Sequence, residues 1–305
     1  MKKQILLNND NFINFMKAEF FLQQIKNEFP QVGWKKFRIL THGWDHVVII
    51  FDEKLIFRFP KDKAYKEAFK NEIQLLKFLK TRVKVGIPEY TFVSKNKSLA
   101  GYEMLNGREL KSSHYKRLTG KEKEKFAKQM ADFLTDLHST PNSAISKFNI
   151  SVDNPGKDYK ELANNTKKFL FPRLNKKEVL AIQNYLGELK IALCQINYSN
   201  VLTHNDLSWE HILWDKNKVN IIDFSDRSFG DPANDFTGLW EYGQKLVNSV
   251  YELYKGKKDE QLLHRSQLYF KRIPLFMMKD ALDGYPCTFK EGYEMFRKRY
   301  KIPKK

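Results

Sequence analysis

Cysteine is almost missing from this chain. Its 305 residues hold two, Cys194 and Cys287, far apart. That excludes a disulfide framework and a thiolate metal cluster, and both are expected as ordinary reduced thiols. Long apolar runs are missing as well. Residues 47–51 and 275–278 are among the longest, against the ~20 needed to span a bilayer. Near the N-terminus the apolar stretch Ile5-Leu6-Leu7 is too short for a signal-peptide core. No membrane partner and a cytoplasmic location are therefore expected. Acidic residues are in deficit: 36 Asp and Glu face 54 Lys and Arg, a formal net charge of +18. Such a balance raises nucleic acid as a partner. The lysines are scattered, however, with modest clusters at 121–125, 255–258 and 297–305. Nucleic acid is not expected as the main partner, although affinity for phosphate stays open. A monomer is expected.

Hydrophobic residues make up 42% of the chain and aromatics 14%, enough to build a core. A single core rarely grows past about 250–300 residues, so two lobes are expected. Phe12, Phe15, Met16, Phe20, Phe21 and Ile25 recur at helical spacing and predict a helix over 11–29, closed by Pro30. Three strand-like runs follow at 37–40, 47–51 and 55–59, a β-meander. A helix is predicted over 64–79, with strands at 90–93 and 99–105. Asn106-Gly107 is a turn signal and a candidate hinge. Beyond it helices are predicted over 121–138, 159–171 and 176–196, interrupted by β-runs at 212–215 and 219–222, then helix again from 235 to 300. The expected class is α+β. A strand-rich lobe with an antiparallel sheet spans 1–105, and a larger, mostly helical lobe spans 106–305.

One segment carries chemistry. Thr203-His204-Asn205-Asp206-Leu207-Ser208 leads to Trp209-Glu210-His211, then a hairpin ends in Ile221-Ile222-Asp223-Phe224-Ser225-Asp226, and Gly230-Asp231-Pro232 with Asp235 follows. Phosphoryl transfer asks little covalent work of a protein. It needs one carboxylate for the acceptor hydroxyl, a second for metal, and in kinases a further metal ligand five positions after the first. Asp206, Asp223 and His211 stand in those relations. His211 also reads as a core histidine, and imidazole is an unusual ligand for Mg²⁺. Only four residues separate Asp226 from Asp231, too few for the activation segment that docks a peptide. That favours a small-molecule acceptor.

The segment resembles the protein-kinase pattern, and more closely the aminoglycoside phosphotransferases, above all the 2''-phosphotransferases. The resemblance rests on His204-Asn205-Asp206-Leu207-Ser208, on His211, on Ile221-Ile222-Asp223-Phe224-Ser225-Asp226, and on Gly230-Asp231-Pro232 with Asp235. It implies a two-lobed protein-kinase-like fold. It also implies Asp206 as catalytic base, His211 and Asp223 as Mg²⁺ ligands, GTP or ATP as phosphate donor and an aminoglycoside as acceptor. Asp231 reads as the residue that pins the catalytic loop, and Asp235 as a helix cap. His204 reads as a brace for the loop.

In the first lobe the loop around Gly43 has one glycine, so a full glycine-rich match fails. Alone it is an ordinary hairpin turn, and the resemblance makes it a phosphate-covering loop. The next strand offers Arg58 as the phosphate-binding cation, with Lys61 three residues on. Arginine does not replace lysine freely, so both stay candidates. Glu72 is the natural partner, or else part of a solvated helix face. In the hinge strand the backbones of Glu103 and Leu105 are expected on the purine edge. Tyr102 resembles the bulky residue of relatives that prefer GTP. A polycationic acceptor calls for carboxylates, and Glu210, Asp226 and Glu241 are the candidates, with Ser208 beside them. Asp280 and Asp283 read as ordinary surface charge. Two alternatives remain: a kinase of the same fold acting on choline, homoserine or a macrolide sugar, and a non-catalytic RNA-binding relative.

Overall fold

The computed structural model describes residues 9–41, 43, 45–194 and 198–303. Outside them lie residues 1–8, read above for a signal core, His42 and Trp44 of the glycine loop, and residues 195–197 at the end of the helix predicted over 176–196. The side chains of residues 9–17, Phe12, Phe15 and Met16 among them, also lie outside. The chain divides into two compact units. One comprises the chain up to Ile73 together with Pro88–Met104, and the other Gln74–Ile87 together with the chain from Leu105 on.

The first unit holds α1 (Asn9–Glu28), β1 (Phe37–Leu40), β2 (His46–Phe51), β3 (Leu55–Pro60), the start of α2 (Lys63–Leu79), β4 (Phe92–Val93) and β5 (Ala100–Glu103). Its sheet runs β1-β2-β3-β5-β4, antiparallel throughout. The β2–β3 turn is tight because Asp52 and Glu53 both take positive φ, 51° and 52°. The Asp52 carboxylate fixes it by accepting the Lys35 and Lys36 N–H groups at 3.1 and 2.8 Å. Strand alternation then decides what each face carries. Ile49, Phe51, Phe57 and Phe59 bury against Ile25 and Phe29. Arg58, lying between Phe57 and Phe59 in the chain, therefore points to the other face, opposite Val48 and Ala100. Ala100, Phe69 and Ile73 form a second buried cluster. Of the strand predicted over 90–93 only Phe92–Val93 pairs. Tyr90 instead turns its hydroxyl to polar partners.

The second unit begins with β6 (Arg108–Glu109), α3 (Ser112–Arg117) and α4 (Gly120–His138). Thr119 and Glu122 close a reciprocal capping box at the start of α4. Phe126, Met130, Phe133, Leu134 and Leu137 line its buried face. Next come α5 (Asn142–Lys147), α6 (Pro155–Asn165) and α7 (Lys176–Cys194). The single helix predicted over 159–171 starts earlier, where Asn154 accepts the Lys157 N–H at 3.0 Å. It then loosens into a π-turn at Thr166–Leu170 and a 3₁₀ turn at Phe171–Arg173, where Pro172 cannot continue an α-helix.

Strand β7 (Val201–Thr203) pairs antiparallel with β10 (Ser228–Gly230), and between them β8 (Ile212–Asp215) and β9 (Lys218–Ile221) form a hairpin. Lys216 and Asn217 turn that hairpin at φ 45° and 75°, the two positive values a two-residue turn requires. The region predicted as helix from 235 to 300 is broken into α8 (Ala233–Phe236), a 3₁₀ turn (Gly238–Tyr242), α9 (Gln244–Leu253), α10 (Leu262–Leu282) and α11 (Phe289–Arg299). Gly243 and Gly284, at φ 101° and 85°, sit at two of the breaks. Among the described residues no helix is long and apolar enough to cross a membrane.

Candidate active site

The loop between β7 and β8 carries the polar cluster, and its shape is set from beneath. Asn205 takes φ 70°, a left-handed conformation that needs outside support for a residue with a Cβ. The Asp235 carboxylate supplies it. Oδ1 accepts the Asn205 N–H at 2.8 Å and Oδ2 accepts the His204 N–H at 3.0 Å. His138, at the end of α4, donates from Nε2 to Oδ2 at 3.0 Å, and its Nδ1 accepts the Tyr254 hydroxyl at 2.6 Å. Asp235 is fully buried and His138 and Tyr254 nearly so. Burial drives the Tyr254 hydroxyl well above its ordinary range, with the Asp235 charge adding to it.

The roles expected for two aspartates are therefore exchanged. Asp235, read as a cap, pins the loop that carries Asp206. Asp231, read as the pin, accepts the Ala233 N–H at the start of α8 and is clasped by Arg265 through Nε and Nη2 at 2.7 and 2.9 Å. Tyr269 donates to it at 2.8 Å, and Arg265 turns Nη1 and Nη2 to Asp259 at 2.6 and 2.9 Å. Arg265 is wholly buried. Burial alone would lower its pKa; the bonds to Asp259 and Asp231 more than reverse that.

His204 braces the loop, as expected from the motif. Burial lowers its pKa, so the imidazole is neutral. Nε2–H donates to the Ile222 carbonyl at 3.1 Å, and Nδ1 accepts the Asp206 N–H at 3.3 Å. A second contact closes the loop from another side. Gly238 lies so near that a Cβ there would stand 1.7 Å from the Leu207 carbonyl oxygen.

Asp206, His211 and Asp223 come together on this frame. His211 Nδ1 donates to the Asp206 carbonyl at 2.8 Å and lies 3.2 Å from Asp206 Oδ2. Its Nε2 is 3.7 Å from Asp223 Oδ2. Burial pulls the imidazole down, but hydrogen bonding and charge from Asp206, with the charge of Asp223, raise it to about 9. Both carboxylates keep about two fifths of their side chains exposed, 42% and 41%, so each can meet a ligand. Asp223 has φ 62°, a second left-handed residue in the cluster.

The acceptor candidates are less uniform. Ser208 Oγ is buried and has no hydrogen-bond partner among the described residues. Glu210 and Asp226 are exposed. Glu241 is already taken: its Oε1 pairs with Arg299 Nη2 from α11. Trp240 and Tyr242 beside it are structural, donating to Ser266 Oγ at 2.9 Å and the Leu110 carbonyl at 2.7 Å. Asp283 pairs with Lys279.

In the first unit Arg58 and Glu72 form a buried ion pair at 2.7 Å, with side chains 7% and 1% exposed. Tyr90 joins both, accepting from Arg58 and donating to Glu72 at 2.9 Å each, and His46 Nδ1 accepts from Arg58 at 3.1 Å. Lys61 is exposed and its ammonium reaches the carbonyls of Thr41, at 2.9 Å, and Gly43. Tyr102 is buried edge-on against Tyr90, ring centroids 5.2 Å apart. Glu103 is the exposed last residue of β5, and Leu105 follows at the start of the second unit.

His138, Tyr254 and Arg265 are the site-shaping residues that sequence reading did not assign, and Asp235 is one it assigned to another role. Their contacts through Asp235 and Asp231 cross 30 to 116 residues of chain, which no local pattern reveals.

A profile of the phosphotransferase enzyme family matches residues 36–267. Among solved structures, the chain is similar to the GDP and kanamycin complex of APH(2'')-IIIa, with TM-score 0.83 and 23% identity over 92% of this chain and 98% of that one. The gentamicin complex of APH(2'')-IIa gives 0.67 and 21% over 99% and 98%. Macrolide 2'-phosphotransferase MphH from Brachybacterium faecium gives 0.68 and 16% over 95% and 99%. These likenesses establish the kinase-like fold.

Proposed function

The chain belongs to the phosphotransferase enzyme family, and from that premise we propose that it transfers the γ-phosphate of GTP or ATP to the 2''-hydroxyl of an aminoglycoside, conferring resistance to it. The observation that carries this is the trio Asp206, His211 and Asp223, brought together where a loop held by buried hydrogen bonds meets the segment after β9. Asp206 acts as base. Its carboxylate takes the acceptor's hydroxyl proton while the hydroxyl oxygen bonds to the γ-phosphorus. The bond from that phosphorus to the bridging oxygen breaks, and the nucleoside diphosphate leaves.

Asp223 and His211 would hold Mg²⁺. Asp223 fits a cation that takes one or two carboxylates and completes its shell with phosphate and water, and His211 would add an imidazole nitrogen, a less usual ligand. Asp223 Oδ2 and His211 Nε2 face each other at 3.7 Å, and among the described residues no group of three acidic, His or Cys ligands competes with them. To serve, His211 would release the Nε2 proton that the two carboxylates favour, keeping Nδ1–H on the Asp206 carbonyl. When bound, the ion would offset charge on the transferred phosphoryl group.

In the first unit Arg58 makes the pair with Glu72 that the phosphate-binding cation of a kinase keeps, and Lys61 stands on the loop side, so both are candidates for the phosphate. Lys61 already visits the loop carbonyls of Thr41 and Gly43. Tyr102, a bulky ring packed on Tyr90 beside the hinge strand, supports use of GTP at least equal to ATP. Glu210 and Asp226, both exposed, would meet the acceptor, with Ser208 beside them. The pairing of Glu241 with Arg299 removes one carboxylate from that surface. It favours a second reading, a less cationic alcohol such as a macrolide sugar.

The experiment is nucleotide consumption, with GTP and ATP separately, against aminoglycosides with and without a free 2''-hydroxyl and against a macrolide. Turnover confined to drugs bearing that hydroxyl supports the first reading. Turnover with the macrolide alone supports the second, and none with any acceptor removes both.

A further inference from the structure

Lysines that lie scattered in the sequence are gathered by the fold of the second unit, where three segments lie side by side. Residues 77–86, from the end of α2 onward, carry four cations and no acid. Residues 116–128, from the end of α3 into α4, carry six cations and two acids. The β8–β9 turn adds Lys216 and Lys218, next to Asp215. Against 54 basic and 36 acidic residues in the whole chain, these segments are strongly enriched in positive charge.

Hydrogen bonds join the three. The Gly86 N–H donates to the Val219 carbonyl at 3.3 Å, and the Ile221 N–H to the Gly86 carbonyl at 2.8 Å. They lay the segment after α2 along β9. Gln129 of α4 donates from Nε2 to the Asn217 carbonyl at 2.9 Å and accepts the Val219 N–H at 3.0 Å. It lays α4 along the same hairpin. Lys121 and Lys125 precede Gln129 at intervals of four, so they share the face of α4 that meets the turn. Burial raises the Asp136 carboxyl against the charges of Lys84 and Arg82, so those two reach the last turn of α4. Arg82, Lys84, Lys121, Lys125, Lys216 and Lys218 are all exposed. The nearby acids are partly spent. Glu122 closes the capping box with Thr119, and Asp132 pairs with Lys128 at 3.0 Å. Glu124 and Asp215 remain to face the cations.

The chemistry of this face selects its partner. None of the exposed large apolar side chains lies in the three segments. A protein interface is built around an apolar core, and a membrane-lying helix buries an apolar face; neither is offered here. A nucleic-acid backbone asks for cations and polar groups in line. From Lys121 to Asp136 α4 extends about 22 Å, room for about five phosphates of one strand. We infer that this face binds the phosphate backbone of a nucleic-acid strand without reading its bases. It lies apart from the proposed phosphotransfer trio: His211 and Asp223 flank one end of the β8–β9 hairpin, and Lys216 and Lys218 stand at the other. The strand is a partner beside the acceptor, not in its place.

The test is fluorescence anisotropy of a labelled single-stranded RNA of mixed sequence, titrated with the full chain without donor nucleotide or acceptor. Its outcome then does not depend on phosphoryl transfer. Saturable binding is expected, with Kd about 1–100 µM near physiological salt. Log K should fall linearly with log salt at a slope of about −3, the value for four or five phosphate contacts. A DNA strand of the same sequence should bind within about threefold, because the contacts are to phosphate. The combined variant Lys84→Gln, Lys125→Gln, Lys218→Gln should weaken RNA binding about a hundredfold at about 0.1 M salt and flatten the slope by about 2. The control Lys176→Gln, Lys177→Gln, Lys290→Gln removes the same charge from exposed positions on α7 and α11. It should weaken binding less than about threefold, since salt screens distant charges. Circular dichroism checks the fold of both. Absence of saturable RNA binding, equal weakening by the two variants, or binding to phosphatidylserine vesicles with none to RNA overturns the proposal.

Discussion

Removing the carboxylate of Asp235 should loosen the catalytic loop more than any surface change could. In the native protein it accepts three hydrogen bonds in a fully buried setting: His204 N–H at 3.0 Å, Asn205 N–H at 2.8 Å and His138 Nε2 at 3.0 Å. Asp235→Ala leaves all three donors without an acceptor. Each buried orphan costs about 1–3 kcal/mol, and partial relaxation keeps the sum below simple addition. A loss of about 3–5 kcal/mol is expected, comparable to breaking a buried ion pair. Asp235→Asn separates stability from catalysis. Its amide oxygen does best in the Oδ2 place, where it serves His204 and His138, and its NH₂ then faces the Asn205 N–H. One lost bond costs about 1–3 kcal/mol. The lost bond is the one next to Asp206, so kcat should fall by about ten- to a hundredfold, the scale of a sub-ångström to 1 Å misplacement. Urea denaturation, read as a shift of midpoint at constant slope, and steady-state kinetics measure the two effects. Both variants within about 1 kcal/mol of the native protein, or native kcat in Asp235→Asn, would refute the reasoning.

Gly238→Ala should drive a Cβ into the Leu207 carbonyl, 1.7 Å away in the present backbone. A loss of about 1–3 kcal/mol by overpacking is expected, with a fall in kcat because Leu207 follows Asp206; thermal melting and kinetics check both. Arg58→Ala removes the cation facing the buried Glu72 and should cost about 3–5 kcal/mol in chemical denaturation. Arg58→Lys should recover only part of this, because a single ammonium cannot reproduce the bonds to Glu72, Tyr90 and His46. Burial raises Asp259, but hydrogen bonding and charge from Arg265 outweigh it, so its pKa in the folded protein is lowered. A lowered carboxyl stabilises the fold fully above its unfolded value of about 4 and ceases to do so as pH falls through the folded value. The melting-temperature gap between the native protein and Asp259→Asn should thus be constant near neutrality and shrink on acidification below about pH 4; a gap that widens there contradicts the pairing.

Much of the fold is legible in the chain because its signals are local. Alternation in β2 and β3, with Phe51, Phe57 and Phe59 on one face, is enough to send Arg58 the other way. The capping residues of α4 are visible as Thr119 and Glu122. What escapes is short or distant. β7 and β10 are three residues each, too brief for periodicity, and find each other across the whole β8–β9 hairpin. Asp231 and Asp235 sit four positions apart with similar surroundings in sequence, yet only tertiary contact with Arg265 or with His138 decides which clasps a helix start and which the loop.

The most direct test of the central claim is Asp206→Asn. The substitution keeps size and the His211 contact to the backbone carbonyl but removes the carboxylate proposed as the base. With an acceptor that the native protein phosphorylates, product formation followed by mass spectrometry should fall about 10²–10⁴-fold, the usual contribution of a positioned base, with circular dichroism unchanged. Phosphorylated product formed at close to the native rate would contradict the account.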